Sequence, residues 1–493
     1  MSRAWRRRTV AGLVLLLVPL AGVAQTEAQA GRSDQRLAST PTLATRIDQH
    51  LAQPRFAAAS WGIAVVSLDD GHTVYSHDAG RLLLPASTAK LYTAAFALDR
   101  LGPEYRTHTD AVAAGEVRNG RLRGPLVLRG RGDPTLTGSD WADAIATQLH
   151  ERGLRRIDGG IVGDDTVFQG PPVGSGWEAS DLQAYYGAQA GGLDIDENTM
   201  TASVSAGAAH GAVDVTPEDA AITLAMQPAK ALELYRPPGT STLHVLGGVA
   251  EGSAARRSRL SIPDPALTAA RRLQSALERQ GIRVEGEARS VLWPVAAPTG
   301  ETLASFPSPP LLDVLRGGLK RSQNLYLQSV FLLTGLASED PAPRAEDRAA
   351  HALAAWLAAR GIGPSSAMMD EGTGLSRHDL TTAASLAHLL VLMDASPMAA
   401  TWRGLLPVAG VDGTLAHRMR DTAATGTVVA KTGSMDFVNA LAGYVTTKRG
   451  QRLAFAILLN NYRPPANSAE PVPTASADVD AIAVMLAEAT ERL

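Results

Sequence analysis

The sequence predicts an α/β protein whose main sheet is assembled from both ends of the chain and whose middle is interrupted by a long, mainly β insertion. Three observations point there. Strand-like runs occur near residue 60 and again after residue 427. Segments that are apolar nearly all round, and so read as buried helices, lie between them. From about 106 to 290, short β-like runs alternate with Gly and Asp turns.

Taken in order, Ser60 to Val74 reads as a strand pair turning at Asp69-Asp70-Gly71. Pro85 and Gly102 frame a buried helix over Leu91–Leu101 that opens on Ser87 and Lys90. The β-like runs that follow include Leu126–Leu128, Gly160–Gly163 and Leu243–Leu246. Helices are expected over Leu311–Leu319, Asn324–Leu336, Ala345–Arg360 and Leu380–Met393. Thr427–Thr432, Val438–Thr447 and Arg452–Asn460 read as strands, the last two joined by a turn at Lys448-Arg449-Gly450, and Val479–Leu493 as a closing helix. The order gives one domain from 31–105 plus 291–493, split by inserted domains over 106–290, one nested in the other.

The N-terminus carries Arg3, Arg6, Arg7 and Arg8, an apolar run from Val10 to Ala24, and small-residue cleavage sites at Gly22-Val23-Ala24 and Ala28-Gln29-Ala30. That pattern predicts a signal peptide over 1–30 and a periplasmic mature protein without a permanent membrane anchor. Composition narrows the function. The 493 residues have a net charge of −3, which gives no pull toward nucleic acid. With no cysteine, disulfides, thiolate catalysis and cysteine–zinc sites are excluded. Of 46 basic residues five are lysines: Lys90, Lys230, Lys320, Lys431 and Lys448. Arginine keeps its charge at any relevant pH, whereas a desolvated lysine can lose its proton and act as a base, so the lysine positions are informative.

Ser87 and Lys90, at i and i+3, share a helix face. A serine hydroxyl needs a base within hydrogen-bond reach, and a buried lysine can supply one. Alone, such a pair arises by chance about 0.3 times in a chain of this composition. Ser322-Gln323-Asn324 precedes a helix; its hydroxyl can relay a proton and its amide can hold a carbonyl, though Ser and Asn are also ordinary helix caps. Lys431-Thr432-Gly433-Ser434 ends a strand-like run, with a cation, hydroxyls for a carboxylate and a glycine permitting close backbone approach. Chance expectation for its first three residues is on the order of 0.03. Three of the five lysines lie in or beside these segments.

This ordered set resembles the motifs of penicillin-recognising serine enzymes. The segments Leu406–Arg420, Leu441–Val445, Gly372–Arg377 and Leu126–Thr135 are similar to class C low-molecular-mass penicillin-binding proteins, the D-alanyl-D-alanine carboxypeptidases/endopeptidases of the penicillin-binding protein 4 type. The 231 residues between Lys90 and Ser322 fit that family's large insertion. The resemblance implies a serine transpeptidase/β-lactamase-like domain, an antiparallel sheet flanked by helices, with large, mainly β inserted domains. It implies Ser87 as nucleophile, Lys90 as acylation base, Ser322 with Lys431 as proton relay to the departing D-Ala, and Asn324 orienting substrate and Lys90. Thr432, Gly433 and Ser434 would stand with Lys431 at the terminal carboxylate, and the backbone N–H groups of Ser87 and Ser434 would hold the oxyanion. Asp181, Tyr186 and Arg377 match a pocket for the diaminopimelate end of the stem peptide. The implied partners are peptidoglycan stem peptides and, as covalent inhibitors, β-lactams; no cofactor or metal is implied. Gln323 stands where Asp is common in the second motif.

The alternatives are weaker. No Glu-x-x-Leu-Asn segment of a class A β-lactamase follows Ser87, no Gly-x-Ser-x-Gly elbow is present, and no His-Glu-x-x-His helix. A wall-binding or penicillin-sensing module with a dead site would not need the intact set Ser87, Lys90, Ser322 and Lys431.

Overall fold

The structure is a computed structural model that describes residues 41–206, 212–220, 222–465 and 471–493. The expected signal peptide lies outside the described residues.

Five antiparallel strands form the central sheet, in the order Thr73–His77, Ser60–Ser67, Arg452–Asn460, Val438–Thr446, Val428–Met435. The sheet thus joins the two chain ends, with Ile63 opposite Ile457 and Leu441 opposite Ile457 on the other side. Alternation along these strands sorts side chains by size. On one face Ile63, Val65, Leu453, Phe455, Ile457 and Leu459 pack against the helices Leu43–Leu51 and Ala475–Glu488 through Ile47, Ile482 and Leu486. On the other, Ala440, Ala442, Ala454 and Ala456 leave room for the helices Lys90–Leu101 and Ala383–Asp394 to lie close to the sheet. Each fully buried Leu, Ile or Phe contributes about 1.5–3 kcal/mol, so this two-sided burial holds the frame rigid.

The buried helix is as expected: its first nine residues, Lys90 to Leu98, are all buried. It stops at Gly102, whose φ of 83° suits glycine and whose N–H reaches Leu98 O at 3.1 Å. Helix Leu311–Arg321 ends on Ser322, left-handed at φ 58°, and helix Asn324–Leu336 begins two residues later. Gln323 caps that helix by accepting Leu325 N–H at 3.3 Å. The capping that the sequence assigned to Ser322 or Asn324 therefore falls to Gln323, and both neighbours keep their side chains for the cleft.

Residues 106–307 build sheets with a core of their own. The largest runs Arg289–Leu292, Ile161–Asp165, Leu126–Arg129, His108–Ala113, Glu301–Pro307. Pairing of Glu301–Pro307 with His108–Ala113 carries the inserted structure past 290. Two helices, Asp140–Glu151 and Pro265–Arg279, pack on its strands, while strands predominate among the described residues of the region. The chain enters and leaves this region side by side: Ser308 N–H bonds Thr107 O at 2.9 Å, and Leu311 N–H bonds Tyr105 O at 2.8 Å.

Candidate active site

Ser87 lies in a 3-10 turn, Ala86–Ala89, that runs into helix Lys90–Leu101. With three residues per turn, side chains three apart eclipse one another, so Lys90 stacks directly on Ser87. Ala86 is held at φ 44°, a conformation that costs a non-glycine residue about 1–3 kcal/mol. The surroundings enforce it. Gly374 and Gly433 press on the turn from two sides: a Cβ on Gly374 would stand 2.0 Å from Ala86 O, and one on Gly433 would stand 2.8 Å from Pro85 O. The close approach that Gly433 permits is to the chain's own backbone. Packing has therefore pinned the turn that carries Ser87.

Lys90 is fully buried, and its three donors are all used. Nζ lies 2.7 Å from Ser87 Oγ, 2.6 Å from Asn324 Oδ1 and 2.7 Å from Thr373 O. Burial disfavours the ammonium and pulls Lys90 down to about 7, against the opposing charges of Glu371 and Asp379. Lys431 is also fully buried, 2.8 Å from Ser322 Oγ and 2.7 Å from Thr432 O. It is pushed well below the ordinary lysine range by burial, then by Lys90 and Arg418. Each lysine thus sits behind a serine, and the two hydroxyls face a common cleft.

That cleft holds about 810 Å³ and is lined by Ser87, Ser322, Asn324, Thr432, Ser434, Arg377, Asp181 and Tyr186. Thr432 and Ser434, two apart on the Val428–Met435 strand, both face it, and Thr432 Oγ1 is steadied by Thr414 Oγ1 at 2.8 Å. Asn324 is fixed at both ends, its Oδ1 by Lys90 and its Nδ2 by Tyr186 O at 2.7 Å. Farther along, Arg377 Nε reaches Glu178 Oε1 at 3.2 Å, and Glu178 N–H bonds Asp181 Oδ2 at 3.2 Å. Burial pushes the Asp181 carboxyl up, and Tyr186 hydrogen-bonds to it. Of the eleven expected residues, eight line the cleft; Lys90, Lys431 and Gly433 lie immediately beneath it.

The profile of the D-Ala-D-Ala carboxypeptidase 3 (S13) family matches residues 43–484. The chain belongs to that family. It is 34% identical, over 99% of its length and 91% of the relative's, to a D-alanyl-D-alanine carboxypeptidase of Actinomadura sp. (strain R39). It is 27% identical, over 86% of this chain and 90% of the relative, to the D-alanyl-D-alanine carboxypeptidase DacB of Haemophilus influenzae. The crystal structure of penicillin binding protein 4 (dacB) from Haemophilus influenzae superposes with a TM-score of 0.79 at 24% identity, covering 90% of this chain and 99% of that one. The family membership makes this a peptidase of the penicillin-binding protein 4 type, a D-Ala-D-Ala carboxypeptidase, on the antiparallel sheet with flanking helices that the sequence predicts. No helix among the described residues is long and apolar enough to cross a membrane.

Several groups at this peptidase site escaped the sequence reading. Thr373 and Tyr186 act through main-chain carbonyls, which carry no side-chain signature. Glu197, in the inserted region, pairs with Arg321 and accepts Gln323 Nε2 at 2.6 Å, gripping both neighbours of Ser322. Lys320, counted among the informative lysines, is an anchor: its Nζ holds Leu406 O and Asp412 Oδ2, both at 2.6 Å.

Proposed function

We propose that this carboxypeptidase works as a serine enzyme through an acyl-enzyme on Ser87, acting on D-Ala-linked stem peptides of peptidoglycan as carboxypeptidase and endopeptidase, and that β-lactams inhibit it. The observation that carries the reading is the 2.7 Å contact between Ser87 Oγ and a buried lysine poised near neutrality. A base with a pKa near the working pH is the most effective proton acceptor.

In this mechanism the neutral Lys90 amine takes the Ser87 hydroxyl proton while Oγ bonds to the carbonyl carbon of the penultimate D-Ala. The carbonyl oxygen gathers negative charge against the backbone N–H groups of Ser87 and Ser434. The C–N bond then breaks, and the leaving nitrogen receives the proton that Lys90 took, relayed through Ser322, whose Oγ lies 2.8 Å from Lys431 Nζ. Water adds to the ester as the Lys90 amine takes its proton, and the Oγ–C bond breaks as that proton passes to Ser87 Oγ, which releases the shortened peptide. An amine in place of the leaving D-Ala amino acid makes the same step an endopeptidase cut. Lys431, Thr432 and Ser434 take the terminal carboxylate. Asp181, Tyr186 and Arg377 take the diaminopimelate end: an ammonium offsets the burial that disfavours the Asp181 carboxylate, and the guanidinium takes a carboxylate.

A related Haemophilus influenzae structure, 25% identical with a TM-score of 0.72, is complexed with a novel β-lactam, which supports β-lactam binding here. A four-membered lactam presents the same carbonyl to Ser87 but keeps its leaving group tethered. The test is Ser87→Ala. It is expected to abolish both D-Ala release from a bisacetylated D-Ala-D-Ala peptide and covalent labelling by fluorescent penicillin. Turnover or labelling at the parent rate in that variant rejects the mechanism, and labelling of the parent without D-Ala release points to a sensor instead.

A further inference from the structure

The inserted region reaches the cleft through one strained turn. Asp196, Glu197 and Asn198 follow one another at φ 49°, 56° and 52°, all left-handed and none a glycine. Each such residue costs about 1–3 kcal/mol, so the turn persists only because its surroundings hold it. Asn198 is wholly buried, its Oδ1 accepting Ile195 N–H at 2.8 Å and its Nδ2 donating to Gln189 O at 2.8 Å. Asp196 accepts Gly138 N–H at 3.0 Å and Arg272 Nη1 at 2.6 Å. With both neighbours tied down, Glu197 between them lines the cleft.

There it meets two arginines. Its Oε1 accepts Arg321 Nη1, and its Oε2 accepts Arg259 Nη2 at 3.1 Å. Arg259 comes from the Arg256–Ser261 strand of the inserted region, and Arg321 is the residue before Ser322. Both line the cleft and are half exposed. Aromatic faces steady them further, Arg259 over Tyr185 at 4.7 Å and Arg321 over Tyr326 at 5.2 Å. Among the described residues no other carboxylate pairs with either arginine, since Asp196 next door is taken by Arg272. Two guanidiniums on one carboxylate leave a positive charge on this part of the lining.

The rest of the lining has the opposite balance. Glu178, Asp181 and Asp436 stand there with Arg377. An anionic group entering the cleft is therefore drawn to the Arg259–Arg321 part. Arg321 also adjoins Ser322, where the leaving nitrogen takes its proton. When D-Ala leaves, its single carboxylate is already held at Lys431, Thr432 and Ser434. A peptide that leaves on its amine carries a further carboxylate at its own chain end, and nothing in the mechanism above receives it.

We propose that Arg259 and Arg321, aligned by Glu197, form a subsite for that second carboxylate of a peptidyl leaving group, so that cross-linked stem peptides are cut in preference to dimers lacking the charge. The proposal rests on the reading of the cleft as a D,D-peptidase site with Ser322 on the leaving-group side.

The experiment compares kcat/KM in the full chain on a stem pentapeptide ending in D-Ala-D-Ala, a cross-linked dimer of stem peptides, and the same dimer with the chain end of its leaving half amidated. The parent is expected to favour the dimer over its amide by about three- to tenfold, the range of a charge-assisted contact to half-exposed guanidiniums. Arg259→Ala is expected to erase that preference and Arg259→Lys to restore part of it; Arg321 is left in place because it adjoins Ser322. A parent that does not distinguish the dimer from its amide overturns the proposal. So does an equal loss on pentapeptide and dimer in Arg259→Ala, which would put the arginine on the acylated stem or in the frame. Calorimetric titration of both dimers into Ser87→Ala reads the subsite without turnover. A parent that cuts no dimer would count against the endopeptidase reading, while a difference in affinity between the dimers in Ser87→Ala that vanishes on adding Arg259→Ala would still uphold the subsite.

Discussion

Two serine–lysine pairs face one cleft. Ser87–Lys90 sits on a helix and Ser322–Lys431 spans a turn and a strand, with nitrogen–oxygen distances of 2.7 and 2.8 Å. Both lysines are wholly buried. Their second neighbours differ. Lys90 looks onto Glu371 and Asp379, which offset part of its desolvation and leave it near 7. Lys431 looks onto Lys90 and Arg418, which add to its desolvation and drive it further down. Near-identical contacts thus sit among opposite surroundings, carboxylates that favour the charged form behind Lys90 and cations that disfavour it behind Lys431. The distinction lies in charges one layer back, beyond the hydroxyls themselves.

That contrast can be broken at several points. The largest effect is expected from Lys90→Met, which removes the base from acylation: penicillin labelling should slow by about 10²–10⁴-fold, measured by stopped reaction with a fluorescent penicillin. Lys431→Ala should keep more of the labelling rate than Lys90→Met while losing peptide turnover; equal losses in both assays would erase the distinction between the pairs. Next, if Lys431 is neutral in the free enzyme, a bound terminal carboxylate raises its pKa, and binding above its depressed pKa takes up a proton. Calorimetric titration of peptide into Ser87→Ala at pH 7.5, in buffers of different ionisation enthalpy, should show that uptake, and adding Lys431→Ala should remove it. Arg377→Ala should lower kcat/KM about tenfold for peptides carrying a free diaminopimelate end and much less for the bisacetylated peptide. An equal loss on both substrates would place Arg377 in the frame and outside the pocket. The smallest change is expected for Glu197→Gln, about two- to fivefold in turnover, because the arginines it pairs with are half exposed and screened.

What could be read from the amino-acid order follows the same division between near and far. The all-round apolar helix from Lys90, the hairpin closing at Gly450 with φ 86°, and helix Asn324–Leu336 announce themselves because their signals are local. Ends set by capping were less legible. Thr382 accepts Ser385 N–H at 3.1 Å, so the helix expected from Leu380 starts at Ala383. Thr474 accepts Ala477 N–H at 3.2 Å and starts the last helix at Ala475, ahead of Val479. The three motifs were legible because two of them place scarce lysines at fixed spacing and the third falls between them in the expected order. Glu371, Glu197 and the carbonyls of Thr373 and Tyr186 were not, since their partners lie far along the chain and any residue supplies a carbonyl. Lysine scarcity was a guide that overshot once, at Lys320, where the charge fastens a helix to Asp412.

The paired crossing at Thr107 and Ser308 has a consequence for anyone shortening this chain. Cutting there and rejoining the ends with a brief linker would spare all of the central sheet and each of Ser87, Lys90, Ser322, Asn324 and Lys431. Such a miniature would keep all three lysine- and serine-bearing motifs. Yet Asn324 would have lost the Tyr186 oxygen that holds its amide, and Ser322 the Glu197 grip on its neighbours. With Asp181 and Tyr186 gone from the cleft as well, a pared-down protein should work poorly, its remaining motifs present and their alignment lost.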